Sequence, residues 1–203
     1  MVLIIDYGMG NLGSVKRALE ECGAADVVIS NNESDFDQCT HAVLPGVGAF
    51  TDAMQNIKNA HLNRRIRKLA LEEKIPFLGV CLGMQLLATT GTEHGVTPGL
   101  DIIPAEVKAL QPLNGERVPH VGWNEIHIGT GHPVFEGIPD KSDFYFVHSF
   151  HIAVNDPKYE LATTPYCGNF TSVIGNENVI GVQFHPEKSS FAGFRLLKNF
   201  LKL

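Results

Sequence analysis

No stretch of 18 consecutive apolar residues occurs in this chain, so no segment has the length to cross a bilayer as a helix. Positive charge is in short supply: 16 Lys and Arg stand against 22 Asp and Glu, a net charge of -6. No Lys/Arg-rich block appears, and the balance argues against a general nucleic-acid binder. Cysteine is sparse, with four residues, Cys22, Cys39, Cys81 and Cys167, at wide and irregular spacing. The spacing matches neither a zinc pattern nor a CxxC motif, so a reduced, cytoplasmic protein is the natural reading. Cys22, Cys39 and Cys167 read as packing or surface thiols. The first apolar run goes from Val2 to Ile5 without the basic n-region and cleavage site of a signal peptide. Repeats, low-complexity segments and linkers are also missing, and the 203 residues are expected to form one domain, 1–203. The 44% hydrophobic and 19% charged content is that of a globular protein with a sizeable core.

What is present centres on Pro76-Phe77-Leu78-Gly79-Val80-Cys81-Leu82-Gly83-Met84-Gln85. The apolar run after Pro76 predicts a buried strand, and Leu82 to Thr89 predicts a helix. Cys81 falls at the switch between them. So tight a strand-to-helix turn holds its residue exposed in a strained backbone, which is the logic of a nucleophile elbow, here with sulfur. The helix that follows aims free N–H groups at the sulfur, a placement that favours the thiolate. The plainer alternative is a small buried hydrophobe, as most free cysteines are.

Upstream, Val2–Ile5 reads as a strand buried on both faces. Asp6 to Asn11 turns out of it into a helix with Leu12, Val15, Ala18, Leu19 and Cys22 at helical spacing, stopped by Gly23. Gly8, Gly10 and Gly13 spell GxGxxG. The next strand, Val27–Ser30, lacks the acidic residue that a ribose would need, so no dinucleotide cofactor is expected. A loop facing a partner or ligand is the preferred reading. Ala42–Leu44 is a short strand, followed by Pro45-Gly46-Val47-Gly48-Ala49-Phe50 and a helix from about Thr51 to Ala60. Two glycines after a strand let backbone N–H groups converge on one spot, as in an oxyanion site, or else make an ordinary turn. A further helix buries Leu62, Ile66, Leu69 and Ala70. The order β-α-β-β-α-α-β-α predicts an α/β fold of three layers, a mostly parallel open sheet with helices on both faces. From Ile102 to about Phe184 strands dominate: Ala105–Leu110, Trp123–Ile128, Asp143–Phe150, Glu160–Thr164, Phe170–Ile174 and Val179–Phe184. They are expected to extend the sheet with antiparallel strands. A last helix starts near Ser190, with Phe191, Phe194, Leu197, Phe200 and Leu201 as its apolar stripe.

A cysteine nucleophile needs a base. Of nine histidines, His185 in Gly181-Val182-Gln183-Phe184-His185-Pro186-Glu187 has the most catalytic context. Glu187, two residues on, falls on the same side of an extended segment and can fix the imidazole tautomer. A strand-end histidine beside a surface glutamate is the alternative. His148 and His151 point to opposite faces of a strand and have no third ligand nearby, so no metal site is expected. His120 and His127 read as structural or surface groups.

Taken together, PGVGAF at Pro45–Phe50, GVCLGMQLL at Gly79–Leu87 and GVQFHPEKS at Gly181–Ser189 resemble the class I (triad) glutamine amidotransferases over nearly the whole chain. Within that family, four stretches are similar to the HisH glutaminases: Asp6–Leu12, Pro119–Asn124, Tyr145–Ser149 and Leu196–Phe200. Val121 stands where a methionine is common and Phe150 where a tyrosine is common. The resemblance implies Cys81 as nucleophile, His185 as acid and base, and Glu187 as its orienting carboxylate. It implies an oxyanion site from Leu82 and the Gly46-Val47-Gly48 strip, and glutamine contacts from Gly48, Gln85, Glu93, Ser149 and Phe150. No cofactor is implied. Free ammonia protonates in neutral water, so a separate acceptor enzyme is implied, a HisF-type (β/α)8 cyclase joined as a heterodimer. Its products would be imidazole glycerol phosphate and aminoimidazole carboxamide ribotide, in histidine biosynthesis. The partner face would include Asn11, Trp123, Tyr145 and Lys188. Trp123, the one tryptophan, reads either as an interface anchor or as a core aromatic. The rival readings are a paralogue feeding a different HisF-like barrel, as in amidation of a surface-polysaccharide sugar, a catalytically silent binding subunit, and a hydrolase of other γ-glutamyl amides.

Overall fold

Val2–Ile5 (β1) is apolar and buried at every position, as a central parallel strand requires. The computed structural model describes residues 1–203. β1 pairs in parallel with β2 (Val27–Ser30) on one side and β3 (His41–Leu44) on the other. Between them run α1 (Leu12–Glu21), whose N-terminus is capped by the Asn11 side chain, and α2 (Glu33–Gln38). α2 is missing from the expected order because only Phe36 among its six residues is buried, too little to make a periodic stripe. After β3 come α3 (Phe50–Asn59) and α4 (Asn63–Arg67), and a π-helical turn over Lys68–Glu72 leads into β4 (Phe77–Val80).

The elbow helix α5 (Leu82–Leu86) is shorter than Leu82–Thr89. The chain enters β5 (Ala88–Gly91) instead, where β-branched Thr89 and Thr90 favour the strand. β6 (Thr97–Pro98) lies inside what reads as a loop. The remaining elements are β7 (Ile103–Ala109), β8 (His120–Glu125), β9 (His127–Ile128), β10 (Asp143–His148), β11 (Phe150–Val154), β12 (Glu160–Thr164), β13 (Phe170–Asn176), β14 (Val179–Val182) and α6 (Ser190–Phe200).

The main sheet has the order β2-β1-β3-β4-β14-β13-β12-β9. β2 through β14 in that order are parallel, and β13, β12 and β9 add antiparallel strands. The other antiparallel strands do not extend it. β10 and β8 form a two-stranded ribbon, and β11-β7-β5-β6 form a second sheet. β7 explains why: it alternates buried and more exposed positions, the pattern of a sheet covered on one face only. The segment expected as one strand over Asp143–Phe150 breaks at Ser149, where the chain crosses from the ribbon into the second sheet.

Alternation along β1 divides the interior. Leu3 and Ile5 join one apolar cluster, Val2 and Ile4 the other, so each face of the sheet carries its own core. α6 covers the second with Leu196, Leu197 and Phe200. Phe191 is not in that stripe. It is 68% exposed and lies under the Arg195 guanidinium, a helical turn away from the buried face. The carboxyl ends of β1, β3, β4 and β14 share one edge of the sheet, so the segments after them gather there.

Candidate active site

Cys81 joins β4 to α5 with φ 54° and ψ -112°. L side chains rarely adopt that region, and holding one there costs about 1–3 kcal/mol. Two contacts hold it. The Cys81 N–H donates to the Val182 carbonyl at 2.8 Å, continuing the parallel β4–β14 pairing past its end. Gly83 brings α5 against the end of β3 so closely that an added Cβ would run into the Leu44 carbonyl. The side chain is buried rather than exposed on the surface, and it opens onto a cavity of about 270 Å³.

His185 lines the same cavity. β14 ends at Val182, and Pro186–Lys188 forms a 3₁₀ turn rather than an extended segment. The turn still brings Glu187 Oε1 to 2.9 Å from His185 Nδ1, with both side chains almost fully buried. His185 Nε2 and Glu187 Oε2 have no hydrogen-bond partner. Burial pulls the imidazole pKa down, but Cys81 and Glu187 together push it further up, to about 9. Glu187 Oε1 accepts the Nδ1 hydrogen, which leaves Nε2 on the cavity that Cys81 opens into.

The other expected residues fall around the cavity. Val47, Gly48, Leu82, Gln85, Glu93, Ser149 and Phe150 all line it. Gly46 lies buried just behind. Leu82 N–H heads α5 and has no intrahelical acceptor. Glu93 Oε2 accepts the Phe50 N–H at 2.7 Å and so caps α3, whose own cap residue, Ala49, offers no side-chain acceptor. Gln85 Nε2 donates to the Phe150 carbonyl at 2.9 Å and to Gln183 Oε1 at 3.0 Å. Its amide hydrogens are therefore committed to protein.

Two side chains that touch the site are not singled out by the sequence. Gln183 is fully buried, and its amide donates to Cys81 Sγ at 3.8 Å. Only its place two residues before His185 hints at that role. Tyr7 reads merely as part of a turn, yet its hydroxyl donates to the Pro45 carbonyl at 2.9 Å beneath the glycine strip. Burial, and then the nearby Cys81, push that phenol's pKa up. An added Cβ at Gly46 would collide with the Tyr7 hydroxyl.

Val147 lines the cavity, and the ribbon face that carries it extends away from there. Trp123 and Tyr145 oppose each other across the ribbon, edge to face at 6.1 Å, and Lys188 sits 5.8 Å from the Tyr145 ring. Trp123 is 52% exposed, so it is no core aromatic. Val121 and Val147, also opposed in the ribbon, are exposed beside it, and Asn11 is exposed at the start of α1. His148 and His151 both take backbone carbonyls as Nδ1 partners, at 2.8 and 3.1 Å.

The family described as glutamine amidotransferase class-I matches residues 3–203. The imidazole glycerol phosphate synthase subunit HisH of Moorella thermoacetica is 46% identical over 202 residues, covering 100% of this chain and 94% of its own. The subunit of the same name from Aquifex aeolicus is 45% identical over 198 residues, covering 98% and 94%. Among solved structures, a glutamine amidotransferase superposes with a TM-score of 0.75 at 18% identity, covering 100% of this chain and 98% of its own. PurLQS from Thermotoga maritima superposes with a TM-score of 0.74 at 18% identity, covering 99% and 97%. At such identities the structures speak to the fold alone.

Proposed function

We propose, on the premise that this chain belongs to the class I glutamine amidotransferases and within them to the HisH family, that Cys81, His185 and Glu187 are its catalytic triad. The enzyme hydrolyses glutamine to glutamate and ammonia. One observation carries the assignment of residues. His185 is tied at Nδ1 to Glu187 at 2.9 Å, while its Nε2 stays unpartnered on the cavity that Cys81 opens into.

His185 Nε2 takes the thiol proton, Cys81 Sγ attacks the side-chain carbonyl carbon of glutamine, and the carbonyl electrons move onto oxygen. Backbone N–H groups of Leu82 and the Gly46-Val47-Gly48 strip hold that oxyanion, each worth on the order of 3 kcal/mol in the transition state. The tetrahedral adduct collapses, the C–N bond breaks, and His185 Nε2–H protonates the leaving amine to ammonia. Water then attacks the thioester while His185 takes its proton back. The C–S bond breaks, glutamate leaves, and His185 returns the proton to sulfur to restore the thiol. Gly48, Gln85, Glu93, Ser149 and Phe150 bind glutamine, with Glu93 Oε1, which has no protein partner, facing its α-ammonium. Gln183 steadies the sulfur through its amide hydrogen.

The acceptor is a HisF-type (β/α)8 cyclase, seated on Asn11, Trp123, Tyr145 and Lys188, and ammonia passes to it within a heterodimer. The exposed Trp123, Val121 and Val147 on the ribbon, the last of them lining the cavity, support this face. The HisH relatives favour the histidine pathway over a paralogous one. That biosynthetic role supports a cytoplasmic location; separately, no helix is long and apolar enough to cross a membrane. Residues 1–203 act as one domain, since both cores share the strands of one sheet. A peptide rotation in Gly46-Val47-Gly48, set by the occupied partner, completes the oxyanion site and keeps hydrolysis slow without an acceptor.

The test is glutamate release by the chain alone, with a HisF-type barrel and its nucleotide ligand, and by Cys81→Ala in the same complex. Activity that rises with the loaded barrel and falls by about 10³-fold or more in the variant is expected. Full-rate hydrolysis by the isolated chain would remove the gate, and activity retained by Cys81→Ala would remove the triad.

A further inference from the structure

Two buried histidines outside the triad form a hydrogen-bonded pair with one consistent arrangement of hydrogens. His120 and His148 oppose each other across the ribbon, and His120 Nδ1 lies 3.0 Å from His148 Nε2. His148 Nδ1 lies 2.8 Å from the Phe150 carbonyl, which only accepts, so Nδ1 carries a hydrogen. At the other end, Asn124 Oδ1 accepts the Glu125 N–H at 2.9 Å, which turns the Asn124 amide nitrogen toward His120 Nε2 at 3.3 Å. His120 Nε2 is therefore bare, and its hydrogen sits on Nδ1 and points at His148. Each donor meets an acceptor, and both rings are neutral.

The surroundings keep them so. His120 stacks on Tyr166 at 3.8 Å and on Phe146 at 4.9 Å, and His148 meets Phe170 edge-on at 4.9 Å. Burial pushes the His120 and His148 pKa values down, to about 4 and about 3. The chain of hydrogen bonds ends on the carbonyl that Gln85 Nε2 approaches from α5 at 2.9 Å. Both lone pairs of Phe150 O are thereby engaged, by side chains from two different elements, while the β7 ladder holds the chain on its other edge, with the Leu110 N–H donating to the Ser149 carbonyl at 2.8 Å.

We propose that His148, held in place by His120, is a positioning residue that fixes the Phe150 carbonyl and so shapes the Ser149–Phe150 wall for the carboxylate end of glutamine. The proposal rests on the reading of Ser149 and Phe150 as glutamine contacts. An apolar pair would fill the aromatic box equally well; what it would lack is a donor for Phe150 O. Binding of the unreacting end of a substrate is felt equally in the ground and transition states, so the signature is in KM rather than kcat.

The experiment uses the full chain in complex with a HisF-type barrel and its nucleotide ligand, with active sites counted by alkylation of Cys81 with a glutamine-like electrophile. His148→Ala is expected to raise the KM for glutamine roughly tenfold or more, with kcat per counted site within about threefold of the parent. In His148→Asn the amide nitrogen replaces Nδ1, and KM is expected back within about threefold. Ring-nitrogen NMR is expected to find the hydrogen on Nδ1 of both histidines between about pH 5.5 and about pH 8. An unchanged KM in His148→Ala, a loss confined to the number of counted sites, or no recovery in His148→Asn overturns the proposal. Alkylating the parent should shift the Ser149 and Phe150 amide resonances. No shift overturns the glutamine reading and this proposal with it. A shift in the parent with an unchanged KM in His148→Ala overturns this proposal alone.

Discussion

Histidines around one cavity are driven in opposite directions. His185 is pushed up to about 9, against the pull of burial, by Cys81 and Glu187, whereas burial alone accounts for the fall of His120 to about 4 and is the chief cause of the fall of His148 to about 3. The signs for stability follow. A raised histidine contributes fully below its unfolded value of about 6.5 and loses that contribution as pH climbs through about 9. A depressed histidine works the other way: the unfolded chain takes up protons that the folded chain refuses, so stability falls as pH drops below about 6.5. Urea unfolding from about pH 4 to about pH 9.5 is therefore expected to show both limbs. Cys81→Ala should shift the alkaline limb to lower pH, and His120→Asn with His148→Asn should flatten the acid limb. Glu187→Gln addresses the same ring kinetically. With the carboxylate gone the tautomer is no longer fixed, and kcat in the loaded complex should fall by on the order of 10³–10⁴-fold. At this scale the residues of the proposed triad were legible in the sequence because they sit inside short motifs. Gln183 and the His120–His148 pair were not. Their partners lie 102 and 28 residues away, and no local spacing announces a contact made only after folding.

Among the elements, α5 shows how closely backbone and chemistry are tied. Gly83 admits no Cβ because the Leu44 carbonyl already occupies the space. Gly83→Ala must therefore push α5 off β3, and it is expected to lower the unfolding free energy by about 1–3 kcal/mol or more. Alkylation of Cys81 in the folded fraction should slow as well, because the elbow moves with its helix. The parallel half of the sheet was readable from runs such as Val2–Ile5 and Phe77–Val80, which are buried on both faces. What could not be read is where strands change partners. Asp143–Phe150 looks like one strand, yet Ser149 divides it between ribbon and second sheet. Leu82–Thr89 looks like one helix, yet pairing with β7 claims Ala88–Gly91. In both places a long-range pairing overrides a local preference. Phe191 fails for a related reason: periodicity identifies an apolar residue but not which side of the stripe the sheet covers.

On the scale of the whole molecule, the site lies at the junction of three sheets, and the ribbon is the smallest of them. Trp123 stands on it, half in solvent. Trp123→Ala is expected to weaken binding of a HisF-type barrel by about 2 kcal/mol or more, as for a buried interface anchor, with the urea midpoint of the isolated chain unchanged. Titration calorimetry and denaturation separate the two effects. The ribbon is also stitched to the catalytic turn. His185 N–H donates to the Tyr145 carbonyl at 2.9 Å, Tyr145 N–H donates to Ser189 Oγ at 3.0 Å, and Ser189 Oγ in turn donates to the His185 carbonyl at 2.6 Å. Mechanically, the strand a partner would grip and the turn that bears His185 are joined as one lever, with Trp123 and Tyr145 at the handle and His185 at the working end. A load placed on the handle is delivered at the imidazole with little slack.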